Sequence, residues 1–227
     1  MDSKVFISLV SVVLGWLLAQ ATTFVREQWT ARKLRIGLLT ELEDIQDQLQ
    51  RVVMIHERQL QLYALKAMEP AAALPVQNLF FTQNFKEVFS DLNRAQRISY
   101  QLIHAALDRL NEQNANLVKF TEESYEALQM FLHDESKKQA VIDLWGDKVQ
   151  TLYKSTVEVR WYIAYHLDHP EAPIFDIMGS MHESYVQFCQ ELEEEVKRIM
   201  DGAKSLTIAD FQKIYDPKSF RSASGAG

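Results

Sequence analysis

The feature that most constrains this chain is an uncharged apolar stretch near its start. Residues 5–25, which read VFISLVSVVLGWLLAQATTFV, contain no charged side chain. As an α-helix with ~1.5 Å of rise per residue, this stretch spans ~31 Å, about the hydrocarbon thickness of a bilayer. Every later apolar stretch is interrupted by charge at helical spacing, as in water-soluble amphipathic helices. The sequence therefore predicts a single transmembrane helix at residues 5–25.

The charges that flank this stretch predict its orientation. Lys4 is the only basic side chain ahead of it. The basic cluster that follows it consists of Arg26, Arg32, Lys33 and Arg35. Basic residues next to membrane helices stay on the cytoplasmic side. We therefore expect a cell-membrane protein that crosses the lipid bilayer once, with residues 1–4 outside and the C-terminal domain in the cytoplasm.

A cleaved signal peptide is the main alternative to a retained anchor. The sequence Ala19-Gln20-Ala21 has the small-x-small pattern of a cleavage site. Two features favour the anchor. The residues before the stretch include a single lysine, and the apolar run continues past the site to Val25. Cleavage at Ala21 would instead release a secreted helical domain.

One face of the apolar stretch carries small side chains. Ser11, Gly15 and Ala19 recur every four residues and so lie on the same side of a helix. Small side chains let two membrane helices approach closely enough for dispersion contacts between them. We expect transmembrane helix packing through this face, in a homo-oligomer or with a protein partner. Small residues are also common in membrane helices that do not associate, so both interpretations stay open.

The remainder of the chain has the composition of a helical protein. Seven glycines and five prolines among 227 residues are too few for the many turns of an all-β fold. The sequence predicts an all-α protein, in which the transmembrane helix precedes an antiparallel helical bundle of four or five helices with coiled-coil-like packing. We place the cytoplasmic helical bundle at residues 26–215 and a disordered tail at residues 216–227.

Three periodic patterns predict which helix faces form the core. The first helix carries a seam of Leu38, Leu42, Ile45, Leu49 and Val52. The same register reaches His56 and Gln59. Either the apolar face shifts here to Val53 and Leu60, or the polar groups lie in the interface and fix its register, and we favour the shift. A second pattern contains Trp145, Val149, Leu152, Thr156, Val159, Ile163 and His166. A third contains Ile174, Met178, Met181, Tyr185, Phe188, Leu192 and Ile199.

The middle of the chain is less regular. The Pro70–Pro75 region breaks the helical pattern, and a group of aromatic residues follows it. We expect these to pack in the core, and they are Phe80, Phe81, Phe85 and Phe89. Residues 92–133 resume a helical rhythm but include a polar patch at 111–116, so one helix and two helices are both compatible with the pattern.

Charge and motifs disfavour several classes of function. A formal net charge of −7 gives no reason to expect a nucleic-acid partner. The chain has no Gly-x-Ser-x-Gly, His-Glu-x-x-His or Walker sequence. Its single cysteine, Cys189, follows Phe188 on the apolar side of its helix, where a cysteine usually packs as a small unreactive side chain. His166 and His169 stand near acidic residues, but this spacing is too loose to indicate a zinc site. We expect no enzymatic activity, no metal and no cofactor.

Two functions remain compatible with the sequence. The first is a membrane-anchored scaffold, adaptor or subunit of a membrane-associated complex, because tethering requires no chemistry. The second is a membrane-tethered sensor. Its candidate pocket consists of Trp161, Tyr165 and His166 on one helix, where the aromatic rings offer stacking surfaces for a small molecule.

Overall fold

The computed structural model describes residues 3–69, 73–130, 134–175 and 178–206, and the side chains of residues 3–10 lie outside the description. These ranges contain five α-helices and no strand. They are α1 (Ser3–Ala64), α2 (Leu79–Val88), α3 (Arg94–Met130), α4 (Glu135–Asp168) and α5 (Ser180–Ala203). The predicted all-α fold and helical bundle are confirmed. The predicted tail at residues 216–227 lies outside the described residues.

Helix α1 is continuous over 62 residues, a length of ~93 Å. Its predicted seam is confirmed, since all five seam residues are no more than 3% exposed. The expected shift of the apolar face is only partly right. Val53 and Leu60 are buried, but His56 and Gln59 are buried as well. The buried face widens here because α1 contacts both α4 and α5 as well as α3.

The α3/α4 and α4/α5 pairs run antiparallel, as the sequence predicts. Near one end Trp145 Nε1 donates to Thr121 Oγ1 at 3.0 Å, and near the other Ser99 and His166 are hydrogen-bonded. Helices α1 and α3, however, run parallel. Tyr125 donates to the Met68 carbonyl at the same end of the bundle where α1 finishes. The reason is the connection between them, which returns along the bundle through α2.

The sequence is compatible with one helix or two over residues 92–133, and the structure has one, α3, over Arg94–Met130. Residues 131–133 lie outside the description. The polar patch at 111–116 is part of this helix. Asn111 uses its side-chain amide to bond both the N–H and the carbonyl of Val76, each at 2.9 Å. Asn111 thus holds the α1–α2 connection against α3.

Helix α4 buries every residue of its predicted stripe. It begins where the Asp134 side chain accepts a hydrogen bond from the Lys137 N–H at 3.1 Å, an N-cap.

The third predicted pattern is wrong at its start, because α5 begins only at Ser180. Ile174 and Met178 precede it and are 56% and 90% exposed. Of the phenylalanines, Phe89 is exposed and the other three pack against the core.

Among the residues searched, all of them within the described part of the chain, no helix has a segment both long and apolar enough to cross a membrane. The predicted transmembrane helix at residues 5–25 is therefore not found there. Its first six residues, 5–10, belong to the part whose side chains lie outside the description.

Candidate functional site

The part of α1 that precedes the bundle is an exposed apolar rod, which we define as residues 11–25. Every residue of this rod is exposed. Its large apolar side chains range from 49% to 68% exposed, and they are Val12, Val13, Leu14, Trp16, Leu17, Leu18, Phe24 and Val25. Soluble monomers seldom expose a contiguous apolar surface of this extent. The exposure of the rod is therefore favourable only where a partner covers it or where the solvent around it is apolar.

Two polar side chains of the rod, Thr22 and Thr23, form hydrogen bonds within α1. Thr22 donates to the Leu18 carbonyl at 2.8 Å, and Thr23 donates to the Ala19 carbonyl at 3.0 Å. In an apolar environment a hydroxyl is tolerated only when it is bonded in this way. These threonines thus leave the rod compatible with lipid or with a dry protein interface.

The small-residue face predicted for helix packing lies on the rod. Ser11, Gly15 and Ala19 are all exposed. A Cβ placed on Gly15 would meet no other atom within 4 Å. The structure brings these residues to one open helix face but contains no second chain, so their role in packing stays a prediction.

The basic cluster lies where the rod joins the bundle. Arg26, Arg32 and Lys33 are exposed. Arg35 is half-buried and donates two hydrogen bonds from one nitrogen to the Glu171 carboxylate, at 3.0 and 3.3 Å. The cluster is thus held near the end of the bundle formed by the α4–α5 turn.

This end of the bundle is fixed by further polar contacts. Asn93 donates to the Glu171 carbonyl at 2.6 Å, and Gln96 donates to the Pro170 carbonyl at 2.7 Å. The α2–α3 turn and the α4–α5 turn are therefore tied to each other, and Arg35 ties both to α1. These contacts hold the end of the bundle at a set position beside the helix that carries the rod.

The three residues of the candidate pocket separate into two environments. Trp161 and Tyr165 stack with their ring centroids 5.7 Å apart. Trp161 also contacts Phe188 of α5, at 5.4 Å. His166 instead contacts α3, where its Nδ1 lies 2.6 Å from Ser99 Oγ and its ring 4.4 Å from that of Tyr100. The structure brings Trp161 and Tyr165 together and directs His166 elsewhere.

Tyr185 completes this aromatic group between α4 and α5. It donates a short hydrogen bond to the Glu158 carboxylate. Burial and the bond to Glu158 raise the pKa of Tyr185 above its ordinary range. Its hydroxyl therefore stays protonated at neutral pH and keeps α4 and α5 linked.

Buried histidines were missed by the sequence reasoning, apart from His166. His56, His104 and His166 are no more than 3% exposed. His104 stacks on Phe81 with ring centroids 3.6 Å apart. Burial lowers the pKa of His104 to about 3, with a further contribution from His166, and lowers that of His166 to about 4. Both rings are therefore neutral at physiological pH.

A buried carboxylate was also missed. Glu41 of α1 accepts hydrogen bonds from the backbone N–H groups of Phe80 and Phe81, at 2.6 and 2.8 Å. These groups lie in the first turn of α2, where N–H groups lack helical partners and a negative charge is favoured. Burial raises the pKa of Glu41, and the two backbone bonds oppose that rise. A cap supplied from another helix leaves no local sequence signal.

No group of three or more His, Cys, Asp or Glu side chains lies close enough to hold a metal ion in the part of the chain described here. Comparison with protein-family models, with curated proteins and with solved structures found no match to this chain.

Proposed function

We propose that this protein is a single-pass membrane protein whose cytoplasmic helical bundle acts as a scaffold, adaptor or subunit of a membrane-associated complex, with no catalytic activity of its own. The observation that carries the proposal is the exposed apolar rod of α1. The uncharged sequence extends from the rod back to residue 5, so the proposed anchor is residues 5–25.

The free energy of leaving the rod in water supports the lipid environment. Full burial of a large apolar side chain is worth ~2 kcal/mol, so a side chain half to two-thirds exposed forgoes ~1 kcal/mol. The eight large side chains of the rod together forgo ~8 kcal/mol, which is comparable to the whole stability of a domain. A bilayer removes this cost without requiring any change in the helix.

The basic cluster supports the orientation. Arg26, Arg32 and Lys33 directly follow the rod and are exposed, as residues on the cytoplasmic side of an anchor should be. Trp29 is also exposed, and its ring suits the headgroup layer. We therefore propose that the N-terminus lies outside and the bundle inside the cell.

A tethering function follows from the way α1 is built. The same helix forms the rod and supplies the seam at the centre of the bundle. Confinement of the bundle at a membrane raises the local concentration of any partner it binds. Self-association through Ser11, Gly15 and Ala19 is the simplest arrangement for such a scaffold.

Alkaline carbonate extraction of membranes that contain the full chain tests the anchor. The wild-type protein should remain in the membrane pellet, and a C-terminal reporter should be active in the cytoplasm. The double variant Leu14→Asp/Leu18→Asp should be released, because two charges in the rod are costly in lipid. The matched control Gln50→Asp/Gln101→Asp adds the same charge to exposed bundle positions and should stay in the pellet.

Two results would contradict the proposal. One is release of the wild-type protein by carbonate. The other is an intact mass that lacks residues 1–21, which would favour the secreted alternative. Sizing of the detergent-extracted protein tests the scaffold separately, since a strict monomer would exclude self-association.

A further inference from the structure

A crevice lies between α1 and the end of the bundle beside it. Its volume is ≈ 1260 Å³. One wall is α1 between Thr23 and Leu39. The opposite wall contains Glu87, Ser90 and Asp91 from the end of α2 and the following turn, together with Glu171. The volume is above the ~300–1,000 Å³ that is typical of small-molecule sites.

The charges lining the crevice are of both signs. Arg35 and Glu171 are paired with each other. The other cations are Arg26 and Arg32, both on α1 and both exposed. The other acids are Glu27, Glu87 and Asp91, which are also exposed. Acids therefore slightly outnumber cations, so the crevice suits a ligand that carries a positive group as well as a negative one.

With residues 5–25 across the membrane, the crevice lies at the level of the lipid headgroups, because its lining begins at Thr23. Its lining includes Phe24 at the end of the rod and Trp29 just beyond it. The rod thus meets the crevice from the membrane side, and beyond residue 25 charged side chains alternate with apolar ones such as Trp29 and Leu34. A molecule whose apolar tail lies along the rod and whose zwitterionic head enters the crevice would match this arrangement.

We propose that this crevice binds the headgroup of a zwitterionic phospholipid that carries a primary ammonium group. Arg26 and Arg32 would hold the phosphodiester, and Asp91 and Glu87 would accept hydrogen bonds from the ammonium. A primary ammonium has three N–H groups that can donate to carboxylates, whereas a quaternary ammonium has no N–H group. The inference rests on the proposed function, because the bilayer delivers the lipid to the crevice.

Native mass spectrometry of the full chain tests the inference. The protein is reconstituted in nanodiscs containing equal amounts of phosphatidylethanolamine, phosphatidylcholine and phosphatidylglycerol, and the lipids retained after mild detergent extraction are counted. Phosphatidylethanolamine should be enriched about fivefold over each of the others, which corresponds to about 1 kcal/mol. Equal retention of the three lipids would overturn the inference.

Matched variants locate the site. Arg32→Gln and Asp91→Asn should each reduce the enrichment to near unity. Lys33→Gln and Asp47→Asn change the same charges at exposed positions that do not line the crevice, and they should keep it. Loss of enrichment in these controls to the same extent would overturn the assignment to the crevice.

Two further outcomes separate the possible sources of failure. Soluble glycerophosphoethanolamine has the same headgroup without acyl chains, and at millimolar concentration it should leave the lipid enrichment unchanged. Displacement of the lipid by this compound would overturn the lipid assignment in favour of a soluble ligand. A chain that does not enter nanodiscs refutes the proposed function itself, whereas a chain that enters them without lipid preference refutes only this inference.

Discussion

Acidification should destabilise the bundle through His104 and His166. Both rings are neutral in the fold, because burial lowers the pKa of His104 to about 3 and that of His166 to about 4. In the unfolded chain each pKa returns to about 6.5. Below pH 6.5 the unfolded state therefore binds protons that the folded state does not bind, and stability falls as the pH falls.

The size of the effect follows from the distance between pH and the unfolded pKa. At pH 5 each histidine is ~1.5 pH units below 6.5, which is worth ~2 kcal/mol at 1.36 kcal/mol per unit. The two rings together remove ~4 kcal/mol relative to neutral pH. For a chain of this size, 1 kcal/mol lowers Tm by ~2–4 °C, so Tm should fall by ~8–16 °C between pH 7.5 and pH 5.

The assay is thermal unfolding of the full chain in mild non-ionic detergent, followed by far-UV circular dichroism at pH 7.5, 6 and 5. Glu41 and Glu57 act in the opposite direction, since burial raises the pKa of each and folding then favours their protonated forms. The decisive quantity is therefore the pH dependence of each variant relative to wild type. His104→Gln and His166→Gln should each reduce the fall in Tm by ~4–8 °C, and His56, whose pKa is also lowered by burial, acts in the same direction as these two rings.

The control is His182→Gln, because His182 is exposed and its substitution should leave the pH dependence unchanged. The reasoning is refuted if His104→Gln and His166→Gln show the same pH dependence of Tm as wild type.

Three other substitutions test contacts that organise the bundle, each by the change in Tm at pH 7.5. Glu41→Gln weakens the cap of α2 and should cost ~1 kcal/mol, whereas the exposed control Glu43→Gln should change stability by less than ~0.5 kcal/mol. Gly146→Ala places a Cβ 2.3 Å from the Tyr63 ring, so ~2–3 kcal/mol of overpacking should exceed the ~1 kcal/mol gained in helix propensity. Asn111→Ala removes both hydrogen bonds that hold the α1–α2 connection and should cost ~2 kcal/mol. An unchanged Tm in any of them would contradict the role given to that residue.

Long apolar periodicity explains how much of the fold could be predicted. The α1 seam and the α4 stripe each continue for several turns, and a helix with such a face must bury it against a neighbour. The third pattern failed at Ile174 and Met178 because its rhythm extended into residues outside α5, which begins at Ser180. Periodicity predicts which residues share a face, but it does not show where a helix begins.

Contacts between distant residues explain what could not be predicted. The parallel arrangement of α1 and α3 depends on a connection held by Asn111, and the cap of α2 depends on Glu41, about 40 positions away. His56 and Gln59 were expected to leave the core because they are polar. They remain in it because His56 Nδ1 and Gln59 Oε1 bond each other at 2.9 Å, which pairs one polar atom of each side chain inside the core.

The continuity of α1 links the proposed anchor to the bundle. A flexible linker would let the bundle take any orientation at the membrane, whereas an uninterrupted helix transmits its direction from the rod to the seam. The Arg35–Glu171 pair and the bonds from Asn93 and Gln96 then hold two turns of the bundle beside α1. If the rod lies in a bilayer, the same end of the bundle must face the headgroups. The opposite end, where Tyr125 donates to the Met68 carbonyl, then points away from the membrane.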